Sequence, residues 1–193
     1  MKIKIAGIVA VLVVLGAVVL MNVLMPTHTT AQDDTPTPST YVDLLDTEIR
    51  GISPEDINGF RTGAGMGFAL PAELNGYPGP RHVLDLAEEL ELTEDQLEAV
   101  EALYDDMLPQ AIDLGEQLLR AEADLEIAFR EGTIAAEDLQ DALAQAEQIR
   151  ADLRFVHLST HLATIDILTF HQVRQYSTLR GYGSGDHSGH GGH

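Results

Sequence analysis

Three features of the chain predict an all-α fold: an elongated hairpin of two long helices with short flanking helices, expected to pair as a dimer. Apolar residues recur at spacings of three and four from Leu97 through Val100, Leu103, Met107, Ala111, Leu114, Leu118 and Leu125 to Phe129. That spacing lays one apolar stripe along a helix. A second stripe follows at Leu139, Leu143, Ala146, Ile149, Leu153, Val156, Thr160, Ala163 and Ile167. The link between them, Gly132-Thr133, is short enough to make the two helices antiparallel neighbours. The alternation of period two that marks a strand is not found in the sequence.

The elements follow in chain order. Lys2 and Lys4 precede an apolar run from Ile5 to Met25, 21 residues broken only by Asn22. A cleaved signal peptide has an apolar region of roughly 7–15 residues, and a spanning helix needs ~20. Residues 1–31 are therefore read as a signal peptide or a signal anchor. The length favours the anchor, while Pro26 and the small residues Thr29-Thr30-Ala31 fit cleavage before Gln32. Either way the lysines stay inside and the acidic bulk goes outside. The remainder is expected to be extracytoplasmic, touching membrane only through residues 5–25 and working without ATP.

Residues 32–77 read as a linker with short helices. Gln32 to Thr40 is a polar spacer with two prolines, and such composition buries no apolar face. Tyr41 to Arg50 is expected to form one short helix. Ser53-Pro54-Glu55-Asp56 is a helix start, with Ser as N-cap, Pro at the first position and acids in the first turn. Gly63-Ala64-Gly65-Met66-Gly67 lacks the Gly-Lys-Ser/Thr of a phosphate loop and reads as turned backbone. Tyr77-Pro78-Gly79-Pro80 is a rigid turn from which Pro80 starts a helix reaching Leu90. The first long helix begins after Thr93, with a bend expected at Pro109, and Gly132 stops it. At 1.5 Å per residue it is about 57 Å long, against about 40 Å for a ball of this many residues. The domain must therefore be elongated. A last helix is expected from Phe170 to Leu179.

One motif occurs twice. Leu92-Thr93-Glu94-Asp95-Gln96 returns as Leu168-Thr169-Phe170-His171-Gln172. Leu-Thr-x-x-Gln is a capping box. The Thr hydroxyl accepts from the backbone N–H three residues on, the Gln side chain returns to the Thr N–H, and the preceding Leu packs on the first turn, against Leu97 or Val173. Leu92, Thr93, Gln96, Leu168, Thr169 and Gln172 are thus assigned to helix capping.

An exported helical chain with two such motifs around a long hairpin resembles the Spy/CpxP family of periplasmic proteins, which shades into ZraP-like and CnrX-like heavy-metal-resistance proteins. Asn75-Gly76-Tyr77-Pro78-Gly79-Pro80-Arg81-His82-Val83-Leu84 and the ending Gln172-Val173-Arg174 to Leu179-Arg180-Gly181-Tyr182 carry the rest of the likeness. It covers residues 78–182, leaving 183–193 as a Gly/His-rich tail. The resemblance implies a curved all-α dimer and envelope-stress work in the periplasm: ATP-independent chaperoning of unfolded clients, damping of a sensor kinase, or metal sensing. It also implies a concave face mixing apolar and basic groups. In this chain every base after residue 4 is an arginine, and Arg120, Arg130, Arg150 and Arg154 are the candidates for that face.

Charge and composition narrow the function. The 31 acidic residues against 11 basic ones give a formal charge of −20, which repels nucleic-acid phosphate. With no cysteine there is no disulfide, thiolate metal site or cysteine nucleophile. No Ser-His-Asp set or acid/base carboxylate couple is readable, so an enzyme is not expected.

The histidines are the metal candidates. His187, His190 and His193 close the chain at spacings of three among glycines, a composition that wraps a borderline cation such as Zn, Cu or Ni, or else stays solvated. His157 and His161, four apart, face the same way on one helix. They suit a bidentate metal site with Asp166 or His171 near, or else a hydrogen-bonded interface pair. The apolar residues Leu97, Leu103, Met107, Leu114, Leu118, Ile149, Leu153 and Val156 are assigned to a client or dimer face. The leading expectation is an ATP-independent Spy/CpxP-like chaperone. The alternatives are a periplasmic heavy-metal sensor or resistance protein and a regulatory subunit of a sensor kinase.

Overall fold

The computed structural model describes residues 39–182. The export segment, nearly all of the spacer and the Gly/His-rich tail lie outside the described residues. Among those described the fold is all-helical, and none of its helices is long and apolar enough to cross a membrane.

After a 3-10 turn at Val42–Leu44 come α1 (Pro54–Thr62), α2 (Leu70–Glu73), α3 (Pro80–Asp85), α4 (Glu94–Glu131), α5 (Ala136–Ile167) and α6 (Phe170–Leu179). The long antiparallel pair α4/α5 dominates the packing. α1 and α3 lie on α4, and α2 and α3 also touch α5. α1 starts as expected, with the Ser53 side chain accepting from the Asp56 N–H and Pro54 in the first turn. α4 ends at Gly132, whose left-handed backbone (φ 66°) closes the helix through Ala128 and Phe129.

Two expectations are corrected. The helix over Tyr41–Arg50 shrinks to the 3-10 turn. There the Thr47 hydroxyl donates to the Leu44 and Ile49 carbonyls, a local bond that competes with helix. The helix from Pro80 stops at Asp85, and the turns that follow bury Leu90 (1 % exposed), with Glu91 in the left-handed region. Packing of Leu90 thus overrides helix propensity. α4 continues as one helix through Pro109, which is exposed.

Two hydrophobic cores sit along the hairpin. The first joins Ile49, Ile57 and Phe60 to Ala111, Leu118 and Leu119 of α4 and to Ala146 and Leu153 of α5. α1 approaches α4 so closely that a Cβ on Gly115 would overlap the Phe60 carbonyl. The second core joins Val83, Leu90, Val100, Leu168 and Tyr176. Beyond Leu119, α4 buries no residue, and α5 buries none before Ala146. Toward the tip the cover thins: Arg150 Nη2 clips across to Glu122 Oε1 at 2.8 Å, and Arg50 reaches Glu126 at 3.8 Å.

The apolar stripe assigned to a client or dimer face is placed mainly inside this single chain. Met107, Leu118 and Leu153 are buried, and Leu114, Ile149 and Val156 pack against the first core. Leu97 and Leu103 are half-buried. One helix, α1, and the turn segment before it supply the cover that a hairpin alone would have lacked.

Candidate functional site

Both Leu-Thr-x-x-Gln motifs form complete capping boxes, and the two boxes meet. Gln96 Nε2 donates to Gln172 Oε1 and Gln172 Nε2 to Gln96 Oε1, each at 2.9 Å. The second amide hydrogen of Gln96 goes to the Ile167 carbonyl (2.9 Å), and that of Gln172 to the Leu90 carbonyl (3.2 Å). Each Oε1 also accepts its own Thr N–H. A primary amide has two donor hydrogens and two acceptor positions, and both glutamines fill all of them. The motif is therefore more than two independent caps. It is a clasp tying the start of α4 to the start of α6, over a core that includes Leu92, Leu168 and Val173.

Between the two cores a polar cluster interrupts the apolar packing. Met107 on α4 falls between Val100 and Ala111, and His157 and His161 on α5 fall between Leu153 and Leu168. These side chains, with Glu73 from α2, Gly79, Met66 and Arg180, line a cavity of about 510 Å³. Glu73 is 7 % exposed. Its Oε1 accepts from the Tyr176 hydroxyl and lies 3.5 Å from Arg180 Nε. Its Oε2 has no hydrogen-bond partner and stands 3.8 Å from His161 Nδ1. Burial and the bond to Glu73 push the Tyr176 phenol far above its ordinary range, so it stays protonated and donates.

His161 Nδ1 lies 2.7 Å from the Tyr77 carbonyl oxygen. A carbonyl only accepts, so Nδ1 carries the proton and the neutral ring has its lone pair on Nε2. Gly79 makes room for that edge, because a Cβ there would come within 2.8 Å of Nε2. His157 stacks on Phe68, 6.1 Å between ring centroids, and its buried Nε2 has no partner. Burial first, and the neighbouring His161 second, lower its pKa, so His157 is neutral near pH 7. His157, His161, Glu73, Met66 and Met107 thus line one cavity, residue types that suit soft and borderline cations.

His157 and His161 are both buried and line this cavity. Their expected neighbours are not: Asp166 and His171 are exposed, and Glu73 takes the place beside His161. Among the described residues, no three such ligands are close enough together to hold a metal ion. His187, His190 and His193 lie outside the described residues.

The surface offers a second feature. α5 is apolar on its outer side as well, where Ala151, Phe155, Leu158 and Leu162 recur at spacings of three and four. Phe155 is 69 % and Leu162 56 % exposed, and Phe170 at the start of α6 is 78 % exposed. The basic candidates for such a face are mostly committed elsewhere. Arg120 pairs with Glu116, Arg130 with Glu126, and Arg150 with Glu122 and Glu147. Arg154, next to Phe155, makes no ion pair among the described residues. The inner stripe drew the sequence reading; the outer one was legible as Phe155 and Leu162, seven apart. No family model, curated protein or solved structure matches the chain.

Proposed function

We propose that this chain is an extracytoplasmic binding protein that shields exposed apolar segments of unfolded proteins without ATP, in the manner the Spy/CpxP resemblance implies. The observation that carries the reading is the outer row of α5. Large apolar side chains over half exposed, on a helix whose other side packs on a core, have no partner among the described residues. That packing keeps the row from collapsing inward, and Arg154 beside it supplies one positive charge on a strongly acidic molecule. Both aggregating clients and a second copy of the chain are chemically suited to such a face, and a homodimer is part of this proposal. The test is light scattering of an unfolding client with the protein in excess and no nucleotide. Suppression that is lost in Phe155→Ser/Leu162→Ser supports the reading. No suppression by the native protein removes it, and co-purification with a membrane kinase instead favours the regulatory alternative.

A second reading, binding of a divalent cation, is favoured by a separate observation. Glu73 Oε2 and His157 Nε2 are buried without partners among the described residues, and both residues line the cavity together with His161. Buried polar atoms are otherwise nearly always satisfied. Titration with Zn, Cu or Ni tests it, heat on mixing being expected from native protein and not from Glu73→Gln/His157→Gln.

A further inference from the structure

We propose that the cavity lined by Glu73, His157 and Arg180 binds an uncharged amide group carried on an apolar body, whether a small free amide or a peptide bond beside an apolar side chain. Such a ligand competes with a divalent cation for the same cavity, and its binding depends on neither reading above.

The unpaired polar atoms choose the ligand. Among the described residues three buried side-chain nitrogens or oxygens lack a hydrogen-bond partner: Glu73 Oε2, His157 Nε2 and Arg180 Nε. Glu73 ends α2, His157 lies in α5 and Arg180 caps α6, yet all three residues line this one cavity. Buried polar groups are nearly always paired, so three unpaired ones around one cavity point to a partner from outside the chain. Their chemistry is mixed. The carboxylate oxygen accepts, the guanidinium nitrogen only donates, and a neutral imidazole nitrogen does either according to its tautomer. An amide is a small uncharged group that donates through N–H and accepts through C=O on adjacent atoms.

Charge and shape favour this class. The full charges on the wall are already matched: Arg180 Nε lies 3.5 Å from Glu73 Oε1, and Arg81 Nε lies 3.2 Å from Asp85. An ion would bring a charge that the wall does not balance, whereas an amide fills the open hydrogen-bond positions without adding one. Met66, Leu70, Tyr104 and Met107 give the same wall an apolar side, as in sites where a few polar groups orient a mostly apolar ligand. The volume of about 510 Å³ lies within the range of such sites, roughly 300–1,000 Å³. Close contacts also set the wall in place. Met66 holds a left-handed backbone (φ 42°), and its Sδ would lie 2.6 Å from a Cβ on Gly59. Across the cavity a Cβ on Gly79 would come within 2.8 Å of His161 Nε2.

The test is NMR titration of the full-length chain, with a chelator present so that no metal contributes. The first probe is N-acetyl-leucinamide, uncharged, with an amide on each side of an apolar side chain. It should saturate with a dissociation constant on the order of 1 mM and shift the signals of Gly63, Gly65, Gly67, Glu73 and Gly79. Shifts confined to Phe155, Leu162 and Phe170 would move binding to the outer row of α5 and overturn the cavity site. The same probe with every amide nitrogen fully methylated keeps its acceptors, loses its donors and should bind about tenfold more weakly. Equal binding of the two, or tighter binding of cationic leucinamide, would mean that the cavity reads apolar bulk or charge, and the proposal falls. Leu70→Ser changes an exposed position on the wall, so the chain stays folded; it should weaken the first probe severalfold, and no change would place the probe elsewhere. A capped Gly-Leu-Gly tripeptide separates the two sources. Binding at least tenfold tighter than that of N-acetyl-leucinamide assigns the site to peptide segments, and equal or weaker binding assigns it to free amides. If neither uncharged probe binds, the amide site is lost, and the cation reading stands or falls by its own titration.

Discussion

Gln172 is the residue where least can change. It is 7 % exposed, and its amide donates to Gln96 Oε1 and Leu90 O while accepting from Gln96 Nε2 and the Thr169 N–H. Gln172→Ala strips partners from buried groups on both sides, at about 1–3 kcal/mol. Gln172→Glu is worse. It turns a donor into an acceptor facing the Leu90 carbonyl and Gln96 Oε1, and it buries a charge with no cation against it. Thermal unfolding should show Gln172→Glu melting below Gln172→Ala, a shift of about 2–4 °C accompanying each kcal/mol; the reverse order would mean the clasp is open in solution. His157 sets a pH dependence. Its pKa is lowered in the fold, so between that value and the ordinary ~6.5 the unfolded chain binds a proton that the folded chain does not. Its contribution to stability is complete above pH ~6.5 and is lost as pH falls through the lowered value. In buffer with a chelator, His157→Gln should lose less melting temperature than the native chain between pH 7 and 5. Of this cavity, the sequence alone shows only the two histidines, because four-residue spacing on a helix is a local signal. Glu73 comes from a four-residue helix 84 positions before His157. No periodicity links the two, and only the fold of the Tyr77-Pro78-Gly79-Pro80 turn brings them together.

Among the elements, α1 depends on a single close approach. Gly115 on α4 lets the Phe60 backbone of α1 come into contact, and any Cβ there would overlap the Phe60 carbonyl. Backbone cannot step aside as a flexible side chain can, so Gly115→Ala should push α1 outward. About 1–3 kcal/mol of overpacking cost is expected, even though alanine improves helix propensity by about 1 kcal/mol. Net destabilisation, with faster hydrogen exchange in Pro54–Thr62 than in the rest of the chain, would confirm the contact. A more stable variant would place α1 elsewhere. The long elements were legible because their signals are repeated or capped: two stripes, two Leu-Thr-x-x-Gln boxes, Ser53 and Gly132. The short ones were legible only in part. The helix expected over Tyr41–Arg50 and the end of the helix from Pro80 were misjudged because a local hydroxyl bond from Thr47 decides the first backbone and packing of Leu90 the second. The role of the inner stripe was misjudged for a related reason: its cover comes from Ile49, Ile57 and Phe60, outside the hairpin.

At the scale of the whole molecule, the outer row of α5 limits how tightly two copies can hold each other through it. Burying a Phe or Leu side chain completely is worth about 1.5–3 kcal/mol, and Phe155 and Leu162 each have more than half still exposed. Across a twofold axis these four side chains contribute on the order of 4–6 kcal/mol. Association costs about 4–15 kcal/mol in lost translation and rotation before any contact is counted. The row alone therefore supports weak, exchangeable contacts, which suits a surface that must release a client or a second copy without ATP. Sedimentation of the full-length chain should show at most weak association, rising only toward millimolar concentration. Phe155→Ser/Leu162→Ser should abolish it and leave the melting temperature within about 1 °C, because neither side chain belongs to the cores and surface changes of this kind usually cost less than 0.5 kcal/mol. A dimer that persists at nanomolar concentration, or one indifferent to these substitutions, would mean that another surface closes it. The exposed row of α5 would then remain free for clients even in the dimer.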